Sequence, residues 1–187
     1  MNFYRLSWGL LVLLLMAFVV SMAAAVPMLP DRVATHFDAS GQPNDWMNRS
    51  THILVMSLLG LGFPLFIIGT CWTTRYLPKS AVNIPHRDYW MSEERRLETA
   101  QYLYHQSLWL ACLGVGFMIG LHWSVVFSNR RQPVELPLSW ILGITGPFLL
   151  GTAWWVICLY RRFPSPDISE PQSTQNPGAG EDVSVNS

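Results

Sequence analysis

The sequence predicts an all-α integral membrane protein with about four transmembrane helices, a short extracytoplasmic loop that carries a motif, and a disordered C-terminal tail. Half of the 187 residues are apolar and only 13% are charged. The charged fraction is about half of what a soluble domain usually carries. Four segments approach or exceed the roughly 20 mainly apolar residues that a membrane span needs. Because lipid forces each span to satisfy its own backbone hydrogen bonds, we expect these segments to be helices.

The four apolar runs contain no Asp, Glu, Lys or Arg, and they divide the chain. In order, the parts are helix 1 at 1–28, an extracytoplasmic loop at 29–51, helix 2 at 52–72, a cytoplasmic loop and helix at 73–106, helix 3 at 107–127, a short outer loop at 128–137, helix 4 at 138–160 and a disordered cytoplasmic tail at 161–187. The tail is rich in Pro, Ser and Gly, so it cannot bury enough apolar area to offset its ordering entropy.

Helix 1 has two interpretations. Arg5, the apolar run and the small residues at 21–25 are also typical of a signal peptide with a cleavage site. The run is long for a signal peptide, and a motif follows it directly, which favours an uncleaved helix.

The orientation follows from the distribution of Lys and Arg, which collect in short cytoplasmic loops. The termini and the middle loop hold eight of these residues, whereas the other two loops hold four. This count favours a multi-pass arrangement with both termini in the cytoplasm and the loops at 29–51 and 128–137 outside.

Composition and motifs argue against several classes of function. The chain has 12 basic and 12 acidic residues and a formal net charge of zero, so we expect no nucleic-acid partner. The three cysteines lie in or beside apolar segments and lack metal-ligand spacing. We find no phosphate-binding glycine loop, nucleophile elbow or paired acid/base constellation. The sequence therefore predicts no cofactor, no metal, no catalytic residues and no enzymatic activity.

Helix 3 carries two kinds of candidate residue. Gly116 and Gly120 form a GxxxG pattern, in which small side chains let another helix approach closely. That helix belongs either to the same bundle or to a second copy in a homodimer. His122 is the ionisable residue well inside this run, and such residues are candidates for function. Near the outer end of the helix it can instead reach interfacial water or a backbone carbonyl.

Two further residues predict helix details. Pro64 removes a backbone donor inside helix 2 and predicts a kink. Ser92 is a suitable N-cap, since two glutamates follow it where the helix dipole is positive. The stretch at 93–106 lacks Gly and Pro, so this helix is expected to continue into helix 3.

The loop at 29–51 carries the strongest motif. Turn-forming pairs occur at Ser40-Gly41 and Pro43-Asn44, and a short extended piece is expected around His36. His36, with the nearby residues Asp31, Asp38 and Asp45, supplies ligand types that suit zinc and related ions, although the spacing matches no standard site. The alternatives are a structural role, in which Asp side chains hold turns, and direct recognition of a ligand or peptide.

This loop resembles the domain of unknown function 1648 (DUF1648), found in bacterial membrane proteins that include the SdpI family of immunity and signalling proteins. The resemblance rests on Leu29-Pro30, Arg32-Val33, His36-Phe37, Gly41 and Asp45-Trp46, directly after a first membrane helix. It implies a bacterial cytoplasmic-membrane protein with this loop outside. SdpI-like members protect against a secreted toxin and have more helices than this chain. The residues expected to recognise a ligand or partner are His36, Phe37, Asp38, Gly41, Asp45 and Trp46.

The middle loop adds a second resemblance to such proteins, at residues 83–90 followed by 94–96. Its candidate residues are Asn83, Pro85, Tyr89, Trp90 and Arg95. The aromatic residues either anchor the loop at the inner membrane interface or form a surface for a partner. The arginines also suit anionic lipid headgroups.

Three hypotheses for function follow. The first is a non-enzymatic sensor, immunity-like or signalling protein that recognises a ligand or peptide outside the membrane. The second is a metal-dependent membrane enzyme that uses His36 and its neighbouring carboxylates. The third is an accessory subunit that packs through Gly116 and Gly120. The expected partners are the lipid bilayer, a secreted peptide or another membrane protein, and a second copy of the chain.

Overall fold

A computed structural model describes residues 2–166 of the chain. The part of the predicted disordered tail from residue 167 onward lies outside the described residues. The elements are α1 (Asn2–Ala25), a 3-10 turn (Val26–Met28), β1 (Arg32–Phe37), β2 (Pro43–Asn48), α2 (Arg49–Ser57), a π-helical turn (Leu58–Gly62), α3 (Phe63–Thr73), a 3-10 turn (Lys79–Ala81), α4 (Arg87–Trp90), α5 (Arg96–Asn129) and α6 (Leu138–Arg162).

Four helical segments of the described chain are long and apolar enough to cross a membrane, which confirms the predicted class. They run over Tyr4–Met28, Arg49–Thr73, Arg96–Asn129 and Leu138–Arg162. The second consists of α2, the π-helical turn and α3 in direct succession. The chain is therefore a mostly helical, multi-pass membrane protein.

Helix α5 is the centre of the bundle. It has 34 residues and is about 51 Å long at about 1.5 Å per residue. Helices α1, α3 and α6 each pack along it. The main core lies between α1, α2 and α5 and includes Leu11, Phe18, Leu108 and Val115, all of which are buried. No residue of α6 is buried, so this helix is held to the bundle on one side alone.

The second span is irregular near Pro64. A π-helical turn at Leu58–Gly62 ends directly before α3, in which Pro64 occupies the first turn. Pro64 has no backbone N–H, and a π-helical turn is one way in which a helix accommodates the missing hydrogen bond. The turn also brings Gly60 against the ring of Phe18, where an added Cβ would lie 2.2 Å from Cζ.

The N-cap expected at Ser92 is wrong. Helix α5 begins at Arg96, and the Ser92 hydroxyl makes no cap hydrogen bond. Its carbonyl instead accepts the N–H groups of Arg95 and Arg96 at 3.1 and 2.9 Å, which forms a separate turn. From Arg96 the helix then runs without a break through the predicted third span.

A β-hairpin forms within the loop between the first two spans. Strands β1 and β2 are antiparallel, with Val33 opposite Met47, Ala34 opposite Trp46 and His36 opposite Asp45. The register shifts between Ala34 and His36 and again between His36 and Phe37, so the strand pairing is irregular on both sides of His36. We call this end of the bundle the hairpin end. The opposite end, where residues 74–95 connect α3 to α5, is the loop end.

Candidate functional site

The tip of the hairpin is a turn organised by Asp38. Its Oδ1 accepts hydrogen bonds from the Ser40 hydroxyl at 2.7 Å, the Ser40 N–H at 2.9 Å and the Gln42 N–H at 3.0 Å. These bonds, above all that from the Ser40 hydroxyl, lower the pKa of Asp38 from its ordinary value. Asp38 therefore has a structural contact, as the turn interpretation predicted.

Gly41 joins the hairpin to the connection between α5 and α6. Its φ angle is +84°, which a residue with a side chain rarely adopts. Its carbonyl accepts the Leu136 N–H at 2.9 Å. A Cβ at this position would lie 2.4 Å from the Leu136 carbonyl oxygen, so the close approach requires glycine.

Asn129, the last residue of α5, holds the outer edge of β1. Its Oδ1 accepts the Ala34 N–H at 2.8 Å, and its Nδ2 donates to the Ala34 carbonyl at 2.9 Å. Nδ2 also donates to the Val125 carbonyl, one turn earlier in α5, at 2.9 Å. Ala34 is fully buried, so its backbone N–H and C=O need hydrogen-bond partners. The side-chain amide of Asn129 supplies the two bonds that a neighbouring strand would otherwise make.

Arg49, the first residue of α2, ties the hairpin to the end of the first span. Its guanidinium donates to the carbonyls of Leu29 at 3.1 Å and Val26 at 3.5 Å. The guanidinium also pairs with the Asp31 carboxylate at 3.1 Å, and the backbone N–H of Arg49 donates to the Asp31 carbonyl at 2.9 Å. Asp31 is therefore held by Arg49 rather than beside His36.

The side chains of His36 and Asp45 remain exposed on this fixed hairpin. They are 65% and 67% exposed, and His36 Nδ1 lies 3.5 Å from Asp45 Oδ2. The other oxygen of Asp45 accepts the Trp46 N–H at 2.8 Å. Trp46 is 38% exposed, and Phe37 is half-buried. With Nδ1 beside the carboxylate, Nε2 is the nitrogen of His36 that is left for an external partner.

The residues considered as an alternative zinc ligand set do not come together in this loop. Asp31 contacts Arg49, and Asp38 holds its turn, which leaves His36 and Asp45 as a pair. Within residues 2–166 no group of three or more His, Cys, Asp or Glu residues is placed to hold a metal ion.

His122 lies in the bundle near the hairpin end, and it has a neighbour that the sequence analysis missed. Both His122 and His52 are buried, and their ring centroids are 5.7 Å apart. His52 carries no such signal in the sequence, because it lies where the predicted loop meets the second apolar run, a position that suggests contact with interfacial water. Asn129 was missed for a similar reason, since it closely follows an apolar run.

At the loop end, the predicted motif makes contacts within the chain. Arg96 donates to the carbonyl oxygens of Arg75, at 3.1 Å, and Leu77, just beyond the end of α3. Trp90 donates through Nε1 to the Pro164 carbonyl at 3.2 Å, and its own carbonyl accepts the Thr99 hydroxyl at 2.8 Å. The motif therefore connects the ends of α3, α5 and α6.

The remaining loop-end candidates are nearer the surface. The guanidinium of Arg95 lies 4.1 Å from the ring centroid of Tyr89. Tyr89 and Asn83 are exposed, and Pro85 is half-buried. A binding role for these residues stays a prediction.

The two glycines of the GxxxG pattern have different surroundings. An added Cβ at Gly120 would lie 3.0 Å from Ile144 of α6, so this glycine is part of the contact between α5 and α6. Gly116 has no neighbouring atom within 4 Å of that position and lines an apolar groove of about 480 Å³ between α1 and α6. The homodimer stays a prediction.

The four spans and the braced hairpin define a class: a multi-pass membrane protein with a folded loop at one end of its bundle. A family model described as a domain of unknown function (DUF1648) matches residues 12–61, which cover most of α1, the hairpin, α2 and most of the π-helical turn. The chain therefore contains a DUF1648 domain, as the loop motif predicted. No curated protein and no solved structure matches the chain significantly.

Proposed function

We propose that this chain is a non-enzymatic sensor, immunity-like or signalling protein whose hairpin recognises a ligand or peptide outside the membrane. The observation that carries the proposal is the exposed pair of His36 and Asp45, followed in β2 by the partly exposed Trp46, on a hairpin that is fixed to the bundle. The fixing contacts are those of Asn129 with Ala34, Leu136 with Gly41, and Arg49 with Asp31.

A fixed backbone that carries exposed side chains is suited to binding, because little conformational freedom is lost when a partner binds. Trp46 offers a large amphipathic surface of the kind that contributes strongly at interfaces. The exposed His36 and Asp45, with Nδ1 and Oδ2 3.5 Å apart, add polar groups that can hydrogen-bond to a partner. This combination suits an extended peptide or a small polar molecule.

The sidedness is part of the proposal. The distribution of Lys and Arg favours the hairpin outside and both termini in the cytoplasm. We place the protein in a bacterial cytoplasmic membrane, as the resemblance of the loop implies. The loop end then lies inside the cell, where a signal would be passed on.

Photo-crosslinking in intact cells tests the proposal. A photoreactive amino acid replaces Trp46, and the experiment is repeated with His36→Ala. We expect a discrete adduct that forms with His36 present and is strongly reduced in the variant. Asn44→Ala, another exposed position of the hairpin, is the matched control and should leave the adduct unchanged.

Stability separates loss of recognition from loss of folding. Because His36 is largely exposed, His36→Ala should change the free energy of unfolding by no more than about 0.5 kcal/mol. The absence of any adduct, or an adduct equally reduced by His36→Ala and Asn44→Ala, would contradict recognition by this face.

A further inference from the structure

Charge is distributed unevenly between the loop end and the C-terminal residues. At the loop end, which includes the adjoining ends of α1, α5 and α6, eight basic residues stand against four acidic ones, a net charge of +4. Residues 167–187, which we call the acidic tail, contain no Lys or Arg and have a charge of −4 from Asp167, Glu170, Glu181 and Asp182. At the hairpin end, four basic and four acidic residues balance. The acidic tail therefore matches the excess charge of the end at which α6 terminates.

The chain that leads to the acidic tail is held against the loop end. Phe163 is 2% exposed, and its ring packs edge-on against Trp90 at 5.6 Å and Tyr102 at 5.8 Å. Trp90 Nε1 donates to the Pro164 carbonyl at 3.2 Å. These contacts place the start of the acidic tail beside α4.

An open groove of about 270 Å³ lies at this point, lined by His86, Arg87, Asp88, Tyr89 and Pro166. Arg87 Nε is buried without a hydrogen-bond partner in the described chain, and its ion pair with Asp88 Oδ1 is long, at 3.9 Å. The side chain of Arg87 is 41% exposed, so its charge is accessible to an anion in the groove. A buried donor without an acceptor is unfavourable, and a carboxylate is the acceptor that an arginine binds most strongly.

We propose that residues 167–170 of the acidic tail dock in this groove, with the carboxylates of Asp167 and Glu170 binding Arg87. Asp167 directly follows Pro166, which itself lines the groove. Glu170 is three residues further, within about 14 Å of Pro166 at about 3.3–3.6 Å per residue. Both carboxylates are therefore within reach of the groove.

The short connection favours the acidic tail over a separate anion. A ligand joined to its site by a short flexible linker has an effective concentration of about millimolar, without any further contact. Asp88 opposes an acidic ligand, but its side chain is 88% exposed, so water and salt screen its charge. The docked tail covers the groove, so an anionic lipid headgroup has to displace it. This docking is independent of what the hairpin binds.

Photo-crosslinking within the purified full-length chain tests the proposal. A photoreactive phenylalanine analogue replaces Tyr89, and the protein is irradiated in micelles of an uncharged detergent. Trypsin cuts after Lys and Arg, and residues 163–187 contain neither, so the whole tail is released in one peptide. We expect this peptide to be joined to the probe within residues 167–170, as located by fragmentation in a mass spectrometer.

Two double variants remove the same charge from different parts of the acidic tail. Asp167→Asn with Glu170→Gln should lower the yield of this adduct about tenfold, since a hydrogen bond to a charged group contributes about that factor or more. Glu181→Gln with Asp182→Asn is the matched control and should leave the yield unchanged. Thermal unfolding of each variant checks that the bundle remains folded.

A second pair of variants tests the groove itself. Arg87→Gln should lower the yield as strongly as the loss of Asp167 and Glu170. Lys79→Gln removes a charge from an exposed residue of the same loop end that does not line the groove, so it should have little effect.

Several results would overturn the proposal. Adducts confined to residues 163–166 would show that the chain before the acidic tail is all that reaches the groove. An equal loss in both double variants would show a general effect of charge. Adducts between two chains would assign the groove to the tail of a second copy. Adducts to lipid alone, in nanodiscs that contain anionic phospholipid, would assign it to headgroups.

Discussion

The two ends of the bundle are held by similar contacts. At the hairpin end, Arg49 is the first residue of α2 and donates to the carbonyls of Val26 and Leu29. At the loop end, Arg96 is the first residue of α5 and donates to the carbonyls of Arg75 and Leu77. In both places an arginine that begins one helix donates to carbonyls that lie just beyond the end of an earlier helix, α1 or α3. Carbonyls just past the end of a helix have no partner within that helix, so an arginine donor can satisfy them.

The two ends differ in what remains at the surface. At the loop end, Trp90 packs edge-on against Phe163 at 5.6 Å, and the guanidinium of Arg162 lies 5.0 Å from the Trp90 ring. At the hairpin end, His36 and Asp45 keep about two-thirds of their side-chain surface exposed. Much of the loop-end motif is therefore used to join helices, whereas part of the hairpin-end motif is available to a partner.

The largest effect is expected where the hairpin meets α5. Asn129→Leu leaves the N–H and C=O of Ala34 buried without partners. At about 1–3 kcal/mol for each of these two groups, the free energy of unfolding should fall by about 2–6 kcal/mol. Unfolding in mixed micelles measures the change.

Asn44→Leu is the control for this substitution, since Asn44 is exposed on β2. It should change the free energy of unfolding by no more than about 0.5 kcal/mol. If the two variants are equally stable, the hydrogen bonds of Asn129 do not anchor the hairpin to α5. The hairpin could then not be described as a fixed backbone that carries exposed side chains.

A smaller loss is expected at the loop end. Arg96→Met keeps most of the side-chain stem but removes the hydrogen bonds to the carbonyls of Arg75 and Leu77. These bonds are half-buried, so the loss should be about 1–3 kcal/mol. The same unfolding assay measures it.

Arg95→Met provides the comparison at the neighbouring position. Arg95 interacts at the surface with Glu94 and Tyr89, so this change should cost less than about 1 kcal/mol. A larger loss for Arg95→Met than for Arg96→Met would mean that the surface contacts, not the capping of α3, hold this end together.

The sequence predicted the four spans because the requirement for apolar residues in lipid is met residue by residue along the chain. The motif around His36 was also visible, since its turn residues lie close together in sequence. The bracing by Asn129 was not, because Asn129 and Ala34 are 95 residues apart and their contact depends on how α5 packs. The partnership of His52 and His122 depends on packing in the same way.

The start of α5 shows a different limit. Ser92 has the chemistry of an N-cap, but its carbonyl closes a turn after α4 and its hydroxyl has no hydrogen-bond partner in the described chain. Arg96 begins the helix instead and contacts carbonyls beyond the end of α3. A local capping preference of about 1 kcal/mol is small enough for such contacts to override it.

The smallest expected effect concerns the turn at the tip of the hairpin. The pKa of Asp38 is lowered from 3.8, so its ionised form is favoured in the folded turn. The resulting stabilisation is complete at a pH above the ordinary pKa of an aspartate and is lost as the pH falls through the lower folded pKa.

Amide NMR of Ser40 and Gln42 from about pH 6 to about pH 2.5 measures this loss and should give a midpoint below the ordinary pKa of an aspartate. Asp38→Asn keeps an acceptor oxygen without a titrating group, so its turn amides should not show this transition. A midpoint at or above 3.8 in the unaltered protein would mean that Asp38 does not hold the turn in solution.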